Sequence, residues 1–373
     1  MAIVGIDASR AVTPFPTGTE TYSRRLIQAL LASPTPHRFR LYFRSAPATD
    51  WGGAELRPMP FPRLWTHLRL SWEMARHPPD LLFVPAHVLP LFHPPLSLVT
   101  VHDLGYLHFP AAHPLRQRLY LDLSTRWSAR AAAHLLADSE ATRADLIRHY
   151  RTPPDKVSVA YPGYDETLSP LRDPAAIAEV QRRHAIRGPY FLYLGTLQPR
   201  KNLARLIDAF ARLGDKGFFL VLAGRKGWLY DDLFAQARRL GLKERVLFPG
   251  YIPEEDKAAL LSGALAFVFP SLYEGFGLPI LEAQACGCPV ICANTSSLPE
   301  VAGAGALLVD PHHTEALAAA MGRLAAETGL RERLAEAGFA NLPRFSWQRC
   351  AQTVLEVIDR LLAEGSAGQR KAA

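Results

Sequence analysis

Short apolar runs alternate with amphipathic helical stretches along the whole chain. In the first half, the pattern predicts strands at Ile3–Ile6, Arg40–Phe43, Leu81–Val84, Leu98–Val101, Leu135–Ala137 and Val157–Ala160. A second series is predicted at Tyr190–Leu194, Phe218–Leu222, Val246–Phe248, Ala266–Phe269, Val290–Cys292 and Ala306–Val309. Helical patterns lie between the strands, for example at Tyr22–Leu31, Leu115–Ala132 and Ala141–Arg148. Such alternation is typical of parallel sheets wrapped by helices.

Prolines and glycines interrupt this alternation between Pro170 and Pro189. We therefore predict an N-terminal domain over 1–170, a linker over 171–188 and a second domain over 189–345. Ser346 is a good N-cap for a terminal helix over 346–364, and residues 365–373 are expected to be disordered. The predicted fold class is α/β, with two Rossmann-like, doubly wound parallel-sheet domains that face a cleft.

Composition is consistent with two domains and narrows the classes of partner. The chain has 373 residues and 49% hydrophobic content, which is enough for two cores. It contains no run of 18 uncharged apolar residues and begins with a strand pattern, so we expect a cytoplasmic protein without a membrane span. The formal net charge of +7 favours anionic partners. Because no compact basic block with interleaved aromatic residues occurs, nucleic acid is not an expected partner.

The segment from Pro270 to Glu282 predicts a strand, a glycine loop and a helix in succession. Gly275 and Gly277 allow a tight turn and a close approach of the backbone to a ligand. The free amides at the start of the following helix, together with its dipole, form a site for phosphate. Glu274 and Glu282 bracket this loop and suit the hydroxyl groups of a sugar nucleotide. The alternative interpretation is an ordinary turn with a surface Glu on each side.

A second candidate for phosphate binding follows the strand Tyr190–Leu194. The strand ends at the Gly195 turn, and Arg200 and Lys201 stand where a helix begins. Two cations beside helix-start amides would bind a diphosphate through charge-assisted hydrogen bonds. The alternative is a solvated basic corner.

These segments resemble the donor site of family-4-type, retaining GT-B glycosyltransferases. The resemblance rests on the Glu-x7-Glu pair, on residues 283–291, on residues 297–301 and on the Arg/Lys pair. It implies that the second domain binds a nucleotide sugar and that Arg200 and Lys201 neutralise the departing diphosphate. Glu282 would accept hydrogen bonds from the ribose, and Glu274 from the donor sugar. The implied donor-binding backbone comprises Gly195, Thr196, Gly275, Phe276, Gly277 and Leu278.

The same resemblance implies roles for further strand-end residues. His102 follows the strand Leu98–Val101 and would lie beside the donor sugar and phosphate, although a histidine there is often structural. Gly18 would face the donor phosphates, but this chain has Thr17-Gly18 where the family often has two glycines, and Thr17 to Glu20 also fits a capping box. Gly224 would approach the phosphates, and Tyr251 and Ile252 would line the base; simple turns are the alternative.

The overall prediction is a retaining hexosyltransferase in which His102, Glu274, Arg200 and Lys201 are catalytic. Its donor would be a GDP-, UDP- or ADP-linked sugar, with mannose or glucose as the hexose. The acceptor would be a glycan, a lipid-linked glycan or a small molecule, and attack would be on the front face. No metal and no cofactor are expected, since the Asp-x-Asp motif of metal-dependent enzymes is absent. A non-hydrolysing sugar-nucleotide epimerase of the same fold and a non-catalytic nucleotide-sugar-binding subunit remain as alternatives.

Residues 62–76 have two interpretations. Leu64, Leu68 and Trp72 repeat at helical spacing, with Arg63 and Arg76 among the polar positions. A basic interfacial helix would make loose contact with anionic membrane on its inner face, close to a lipid-linked acceptor. Packing of the apolar stripe on its own domain is the more usual outcome, and we favour it from the sequence.

Overall fold

Two compact units divide the chain in this computed structural model, which describes residues 1–13, 18–110, 114–214, 216–225, 227 and 231–372. The first unit contains Met1–Gly163 and Phe345–Ala373, and the second contains Tyr164–Arg344. The division therefore falls before the predicted boundary at 170, and the predicted linker belongs to the second unit. The prolines that suggested a linker instead start a helix there, with Pro174 in its first turn and the Asp173 carboxylate accepting from the Ala175 amide at 2.9 Å.

A seven-stranded parallel sheet forms the centre of the first unit. Its order is β3-β2-β1-β4-β5-β6-β7. The strands are β1 (Ile3–Asp7), β2 (Arg38–Phe43), β3 (Glu55–Pro58), β4 (Leu81–Val84), β5 (Ser97–Val101), β6 (His134–Ala137) and β7 (Val157–Val159). The helices are α1 (Gly18–Ala32), α2 (Ser71–Arg76), α3 (Gly105–His108), α4 (Leu115–Ala131) and α5 (Glu140–Tyr150), with a π turn at Thr66–Leu70 and a 3-10 turn at Pro154–Lys156.

The second unit contains a six-stranded parallel sheet of order β10-β9-β8-β11-β12-β13. The strands are β8 (Tyr190–Leu194), β9 (Phe219–Ala223), β10 (Val246–Gly250), β11 (Ala266–Phe269), β12 (Val290–Ala293) and β13 (Ala306–Val309). The helices are α6 (Pro174–Arg183), α7 (Leu203–Ala211), α8 (Asp231–Arg239), α9 (Glu254–Ser262), α10 (Leu278–Ala285), α11 (Leu298–Ala302), α12 (Thr314–Ala326) and α13 (Thr328–Asn341), and 3-10 turns lie at Pro199–Lys201 and Leu342–Arg344.

Strand order reverses direction once in each sheet, between β1 and β4 and between β8 and β11. In open α/β sheets, ligands bind beyond the carboxyl ends of the strands at such switch points. The prediction of two doubly wound, Rossmann-like domains is therefore confirmed. The edge strand β3 was not predicted. Most of its residues are exposed, and Leu56 is its only large apolar residue, so it has no apolar run that indicates a strand.

Alternate residues of the first sheet supply two separate cores. Leu81 and Phe83 of β4 pack on the face that α1 covers, whereas Leu82 and Val84 pack on the face that α2 and α4 cover. A strand buried on both faces is apolar throughout, which explains the continuous run in its sequence.

The terminal helix α14 (Trp347–Ala372) completes the first of these cores. It continues beyond residue 364, into the tail that we expected to be disordered. A Cβ atom added to Gly365 would meet Leu96 Cδ1 at 2.9 Å, so the helix is still closely packed at this position. Extending an anchored helix by further residues is easier than nucleating a new one. The tail therefore continues the helix although it lacks apolar residues of its own, and the prediction of disorder did not allow for this.

Residues 62–76 pack differently from our expectation. Trp65, Leu70 and Met74 face the core, whereas Leu68 and Trp72 are exposed. The π turn explains the difference, because the Leu70 amide donates to the Trp65 carbonyl at 2.9 Å and so brings residues five apart onto one face. In the described ranges, every helix falls short of the length and hydropathy that a bilayer-spanning segment needs.

Candidate active site

Loops after β8 and β11 meet at the switch point of the second sheet. The chain leaves β8 through Gly195 and forms the 3-10 turn at Pro199–Lys201. The Leu272 amide, in the loop after β11, donates to the Arg200 carbonyl at 2.9 Å. The two segments that the sequence assigned separately to phosphate binding are thus joined through their backbones.

Asn202 fixes this junction. It adopts the left-handed conformation, with φ of 59°, directly after the basic pair. Its buried side-chain amide donates to the carbonyls of Pro270 at 3.1 Å and Pro311 at 2.7 Å. Sequence reasoning did not single out Asn202; the available signal was the asparagine itself, which tolerates a left-handed backbone better than most residues.

Arg200, Lys201 and Glu274 form one cluster of charges. Lys201 Nζ donates to Glu274 Oε1 at 2.5 Å, and Arg200 Nη1 donates to Glu274 Oε2 at 3.1 Å. Arg200 also donates to the Tyr273 carbonyl. Burial raises the pKa of the Glu274 carboxyl, but the charges of Arg200 and Lys201 outweigh it and hold that pKa below its ordinary value. The carboxylate is therefore ionised and holds both cations at the strand ends.

Two serines after β12 position the loop that carries Glu274. Ser296 Oγ accepts from the Glu274 amide at 3.0 Å. Ser297 Oγ lies within donating distance of the carbonyls of Glu274, at 2.9 Å, and Phe276, at 2.6 Å. The loop ends at Gly277, whose φ of 121° favours glycine, and α10 begins with Leu278. This arrangement fixes the backbone from Gly275 onward at the positive end of a helix dipole.

Glu282, one turn into α10, has a cation that the sequence analysis missed. Lys257 Nζ of α9 donates to Glu282 Oε1 at 3.2 Å and to Glu254 Oε2 at 2.8 Å. Burial raises the pKa of the Glu282 carboxyl, and Lys257 offsets only part of this effect. For Lys257, burial lowers the pKa, but the two carboxylates raise it above its ordinary value. No motif signals this pairing, because the two residues lie on different helices.

Three glycines bring the strand-end loops of β8, β9 and β10 together. The Gly195 amide donates to the Ala223 carbonyl at 3.0 Å, and the Gly224 amide donates to the Gly250 carbonyl at 2.7 Å. A Cβ atom on Gly224, where φ is 140°, would lie 1.9 Å from the Gly195 carbonyl oxygen. Backbone contact at this distance excludes any side chain.

Residues beside these glycines differ in exposure. The Thr196 carbonyl accepts from the Tyr193 hydroxyl at 3.2 Å. Tyr251 is 56% exposed, with the Arg225 guanidinium 5.6 Å from its ring centre, whereas Ile252 is buried. Tyr251 thus has an exposed aromatic side chain, and its predicted contact with a base stays a prediction. Lys226, in the motif after β9, lies outside the described residues.

His102 lies at the carboxyl end of β5 in the first unit and is buried. Its Nδ1 lies 2.6 Å from Asp138 Oδ2, and its Nε2 lies 3.1 Å from the Pro85 carbonyl oxygen. The Pro85 carbonyl and an ionised Asp138 carboxylate both accept hydrogen bonds, an arrangement that favours a doubly protonated, cationic ring. Burial raises the pKa of the Asp138 carboxyl, and His102 offsets only part of this effect. Burial lowers the pKa of His102, but the charge of Asp138 outweighs it and raises that pKa above its ordinary value. Both ring nitrogens are thus engaged within the first unit, and a catalytic contact stays a prediction.

Gly18 is the first residue of α1 and is exposed. A Cβ atom added there would have no atom of the described residues within 4 Å beyond its immediate surroundings in the chain and helix. Thr17, the first residue of the predicted capping box, lies outside the described residues.

One group of side chains among the described residues has the spacing of metal ligands. His108 Nε2 lies 2.8 Å from Asp145 Oδ2, and His149 Nε2 lies 3.8 Å from Asp145 Oδ1. This group lies on α3 and α5 of the first unit and includes none of the predicted donor-site residues.

Solved structures share this arrangement of two sheets. Sucrose-phosphate synthase from Thermosynechococcus elongatus superposes with a TM-score of 0.77 at 21% identity, over 97% of this chain and 99% of that one. HepE from Anabaena, solved in complex with UDP-glucose, gives a TM-score of 0.75 at 19% identity, over 96% and 99%. At these identities the likeness concerns the fold. The fold is GT-B.

Sequence comparisons give the family. Residues 16–168 match the model described as Glycosyltransferase Family 4, and residues 177–340 match the model described as Glycosyl transferases group 1. O-antigen chain mannosyltransferase B from Escherichia coli is 35% identical over 264 residues, which is 69% of each chain. D-inositol 3-phosphate glycosyltransferase from Salinispora tropica is 34% identical over 253 residues, and the chain spans about half of that relative, 52%. The chain belongs to the family 4, group 1 glycosyltransferases.

Proposed function

We propose that the protein transfers a hexose, mannose in the first instance, from a nucleoside-diphosphate sugar to a glycan or lipid-linked acceptor. The second unit binds the donor, and the first unit supplies the acceptor site. The single observation that carries this proposal is the cluster in which Arg200 and Lys201 both contact the buried carboxylate of Glu274. In this proposal the two cations bind the diphosphate, and the neighbouring carboxylate accepts hydrogen bonds from the sugar hydroxyls.

Two relatives support the choice of donor. The Escherichia coli relative is a mannosyltransferase, which makes mannose the first sugar to test. HepE was solved with UDP-glucose, which supports a nucleoside-diphosphate sugar as the donor class. The base remains to be chosen among guanine, uracil and adenine, and the exposed ring of Tyr251 is the proposed stacking surface.

The transfer requires charge stabilisation on the departing diphosphate. When the bond between the anomeric carbon and the phosphate oxygen breaks, negative charge develops on that oxygen. Arg200 and Lys201 are preorganised to stabilise this charge, and such electrostatic stabilisation is commonly the largest catalytic contribution. We propose that they do so without an essential metal.

Retention of the anomeric configuration is proposed to occur by front-face attack. A double displacement would need a carboxylate nucleophile on the opposite ring face. Both oxygens of Glu274 already accept hydrogen bonds from cations, and its depressed pKa makes it a weak nucleophile. The acceptor oxygen therefore forms its bond on the face that the diphosphate leaves, and its proton passes to the diphosphate.

A panel of GDP-, UDP- and ADP-sugars, screened by thermal stabilisation, selects the donor. Product analysis by NMR then reports the anomeric configuration, and EDTA-treated enzyme should keep its turnover. An inverted product would refute retention, and loss of turnover that added metal restores would refute metal independence. A covalent glycosyl-enzyme trapped on Glu274 would refute front-face attack.

A further inference from the structure

Exposed apolar side chains concentrate on one side of the first unit. Among the described residues, 17 large hydrophobic side chains are exposed, and 11 of them lie between Phe61 and Trp127. Six form the most regular part of this set and are here called the apolar surface: Leu68 (50% exposed), Trp72 (57%), Phe92 (65%), Leu119 (50%), Leu123 (63%) and Trp127 (37%). Contiguous exposed patches of this kind mark interaction sites.

Three segments contribute to this surface, and direct contacts join them. His67 Nε2 lies 3.1 Å from the Tyr120 hydroxyl, which links the π turn to α4. The Leu91 amide donates to Ser71 Oγ at 3.0 Å, which links the loop after β4 to α2. The rings of His93 and Trp127 lie 6.0 Å apart, which links that loop to α4. The three segments that carry the apolar surface are therefore joined to one another within one unit.

The backbone holds these side chains outward at a cost. Leu64, which precedes the π turn, has a φ of 54°, a left-handed conformation that strains a residue with a β-carbon. The π turn then directs Trp65 and Leu70 into the core, where they fix the segment. Leu119, Leu123 and Trp127 recur every four residues along the outer face of α4. The surface is thus a fixed feature and does not result from a loose segment.

Arginines surround the apolar surface. Residues 61–76 and α4 contain seven arginines, no lysine and only two acids, Glu73 and Asp122. Each acid has its own cation: Arg69 lies 3.0 Å from Glu73, and Arg126 lies 3.3 Å from Asp122. The Arg76 guanidinium lies 4.5 Å above the Trp72 ring, so charge and apolar area are interleaved.

We propose that this apolar surface inserts into the interfacial region of an anionic lipid bilayer. Large aliphatic and Trp side chains with an arginine rim are the composition of interfacial helices. A second copy of the chain fits less well, because a two-fold interface through this surface would bring the two arginine rims together. Residues 62–76, which we expected from the sequence to pack on their own domain, then form one part of a larger docking surface.

Flotation with vesicles tests the proposal without any sugar substrate, so its failure leaves the proposed function untouched. Wild-type protein should bind phosphatidylglycerol–phosphatidylcholine vesicles and leave pure phosphatidylcholine vesicles largely unbound. Trp72→Gln and Leu123→Gln should each lower the partition coefficient about tenfold, since each removes most of one inserted apolar side chain. Leu240→Gln, at an exposed leucine of the second unit, is the matched control and should bind like the wild type.

Tryptophan quenching reports insertion separately from adsorption. Brominated phosphatidylglycerol should quench the wild-type fluorescence. The double variant Trp72→Phe, Trp127→Phe should lose that quenching while it still binds, because phenylalanine preserves apolar area. Equal binding to both vesicle types, or wild-type binding by the two glutamine variants, would overturn the proposal. So would a dimer, seen by sedimentation without lipid, that these glutamine variants dissociate.

Discussion

Replacing Glu274 by glutamine should separate binding of the nucleotide from transfer of the sugar. The carboxylate accepts from Lys201 at 2.5 Å and from Arg200 at 3.1 Å and is only 8% exposed. Breaking a buried pair by neutralising one partner costs about 3–5 kcal/mol of stability, because uncompensated charge remains. The ligand-free variant should therefore unfold at a lower temperature than the wild type.

The same substitution should strengthen the binding of a nucleoside diphosphate. Glu274 and the diphosphate compete for the same two cations, so each weakens the other's interaction. Couplings between two such sites are typically about 1–3 kcal/mol, or 5–150-fold in affinity. Glu274→Gln should gain affinity of this order for the nucleoside diphosphate while its turnover falls. Glu274→Ala should lose more turnover, because glutamine keeps an oxygen that accepts hydrogen bonds.

Calorimetric titration of wild type and Glu274→Gln with the nucleoside diphosphate chosen by the donor panel measures this difference. Glu315→Gln, which removes an exposed carboxylate of the same unit, serves as the control and should leave affinity unchanged. Weaker nucleotide binding by Glu274→Gln would refute the competition and would place the phosphates away from Arg200 and Lys201.

Three further substitutions test single residues. Lys201→Ala should weaken binding of the nucleoside diphosphate by about 1.5–3 kcal/mol in the same titration, and unchanged affinity would remove Lys201 from the site. Lys257→Met should raise the pKa of Glu282 further, so nucleotide affinity, titrated between pH 5 and 8, should fall more steeply with decreasing pH than in the wild type. If nucleotide affinity fell equally steeply with decreasing pH in Lys257→Met and in the wild type, Lys257 would have no role in setting the charge of Glu282. The folded-state pKa of His102 lies above its ordinary value of about 6.5 because of Asp138. The stability from this pair is therefore complete below that ordinary value and is lost as pH rises through the folded-state pKa. The melting temperature of His102→Asn should not show this decrease with rising pH. The same dependence of melting temperature on pH in variant and wild type would refute a raised pKa at His102.

The strands were predictable because they are buried on both faces. A run such as Phe191 to Leu194 has only large aliphatic and aromatic residues and no charge, so its sequence alone indicates a central parallel strand. The glycine loops were predictable for a related reason: Gly195, Gly224 and Gly277 have positive φ values that other residues avoid. Both signals are local, and they coincide with the family signature.

The partners of the charged residues were not predictable. Lys257 reaches Glu282 from another helix, and Asn202 bonds to Pro311, far along the chain. The predicted packing of residues 62–76 was wrong for a different reason. A regular α-helix was assumed, whereas the five-residue hydrogen bond from Leu70 to Trp65 changes which side chains face the core. Such bonds depend on tertiary packing and leave no period in the sequence.

The return of α14 to the first unit affects the order in which the chain can fold during synthesis. The second unit is one continuous stretch, Tyr164–Arg344, and all of it is synthesised before α14. The core of the first unit includes Ala351, Val354 and Ile358, so it stays incomplete until α14 has been synthesised. The usual sequence, in which the N-terminal domain folds first, is therefore reversed for the final packing step. A released chain that ended at residue 344 would carry the whole second unit and a first unit in which α1 alone covers the face that α14 normally shares.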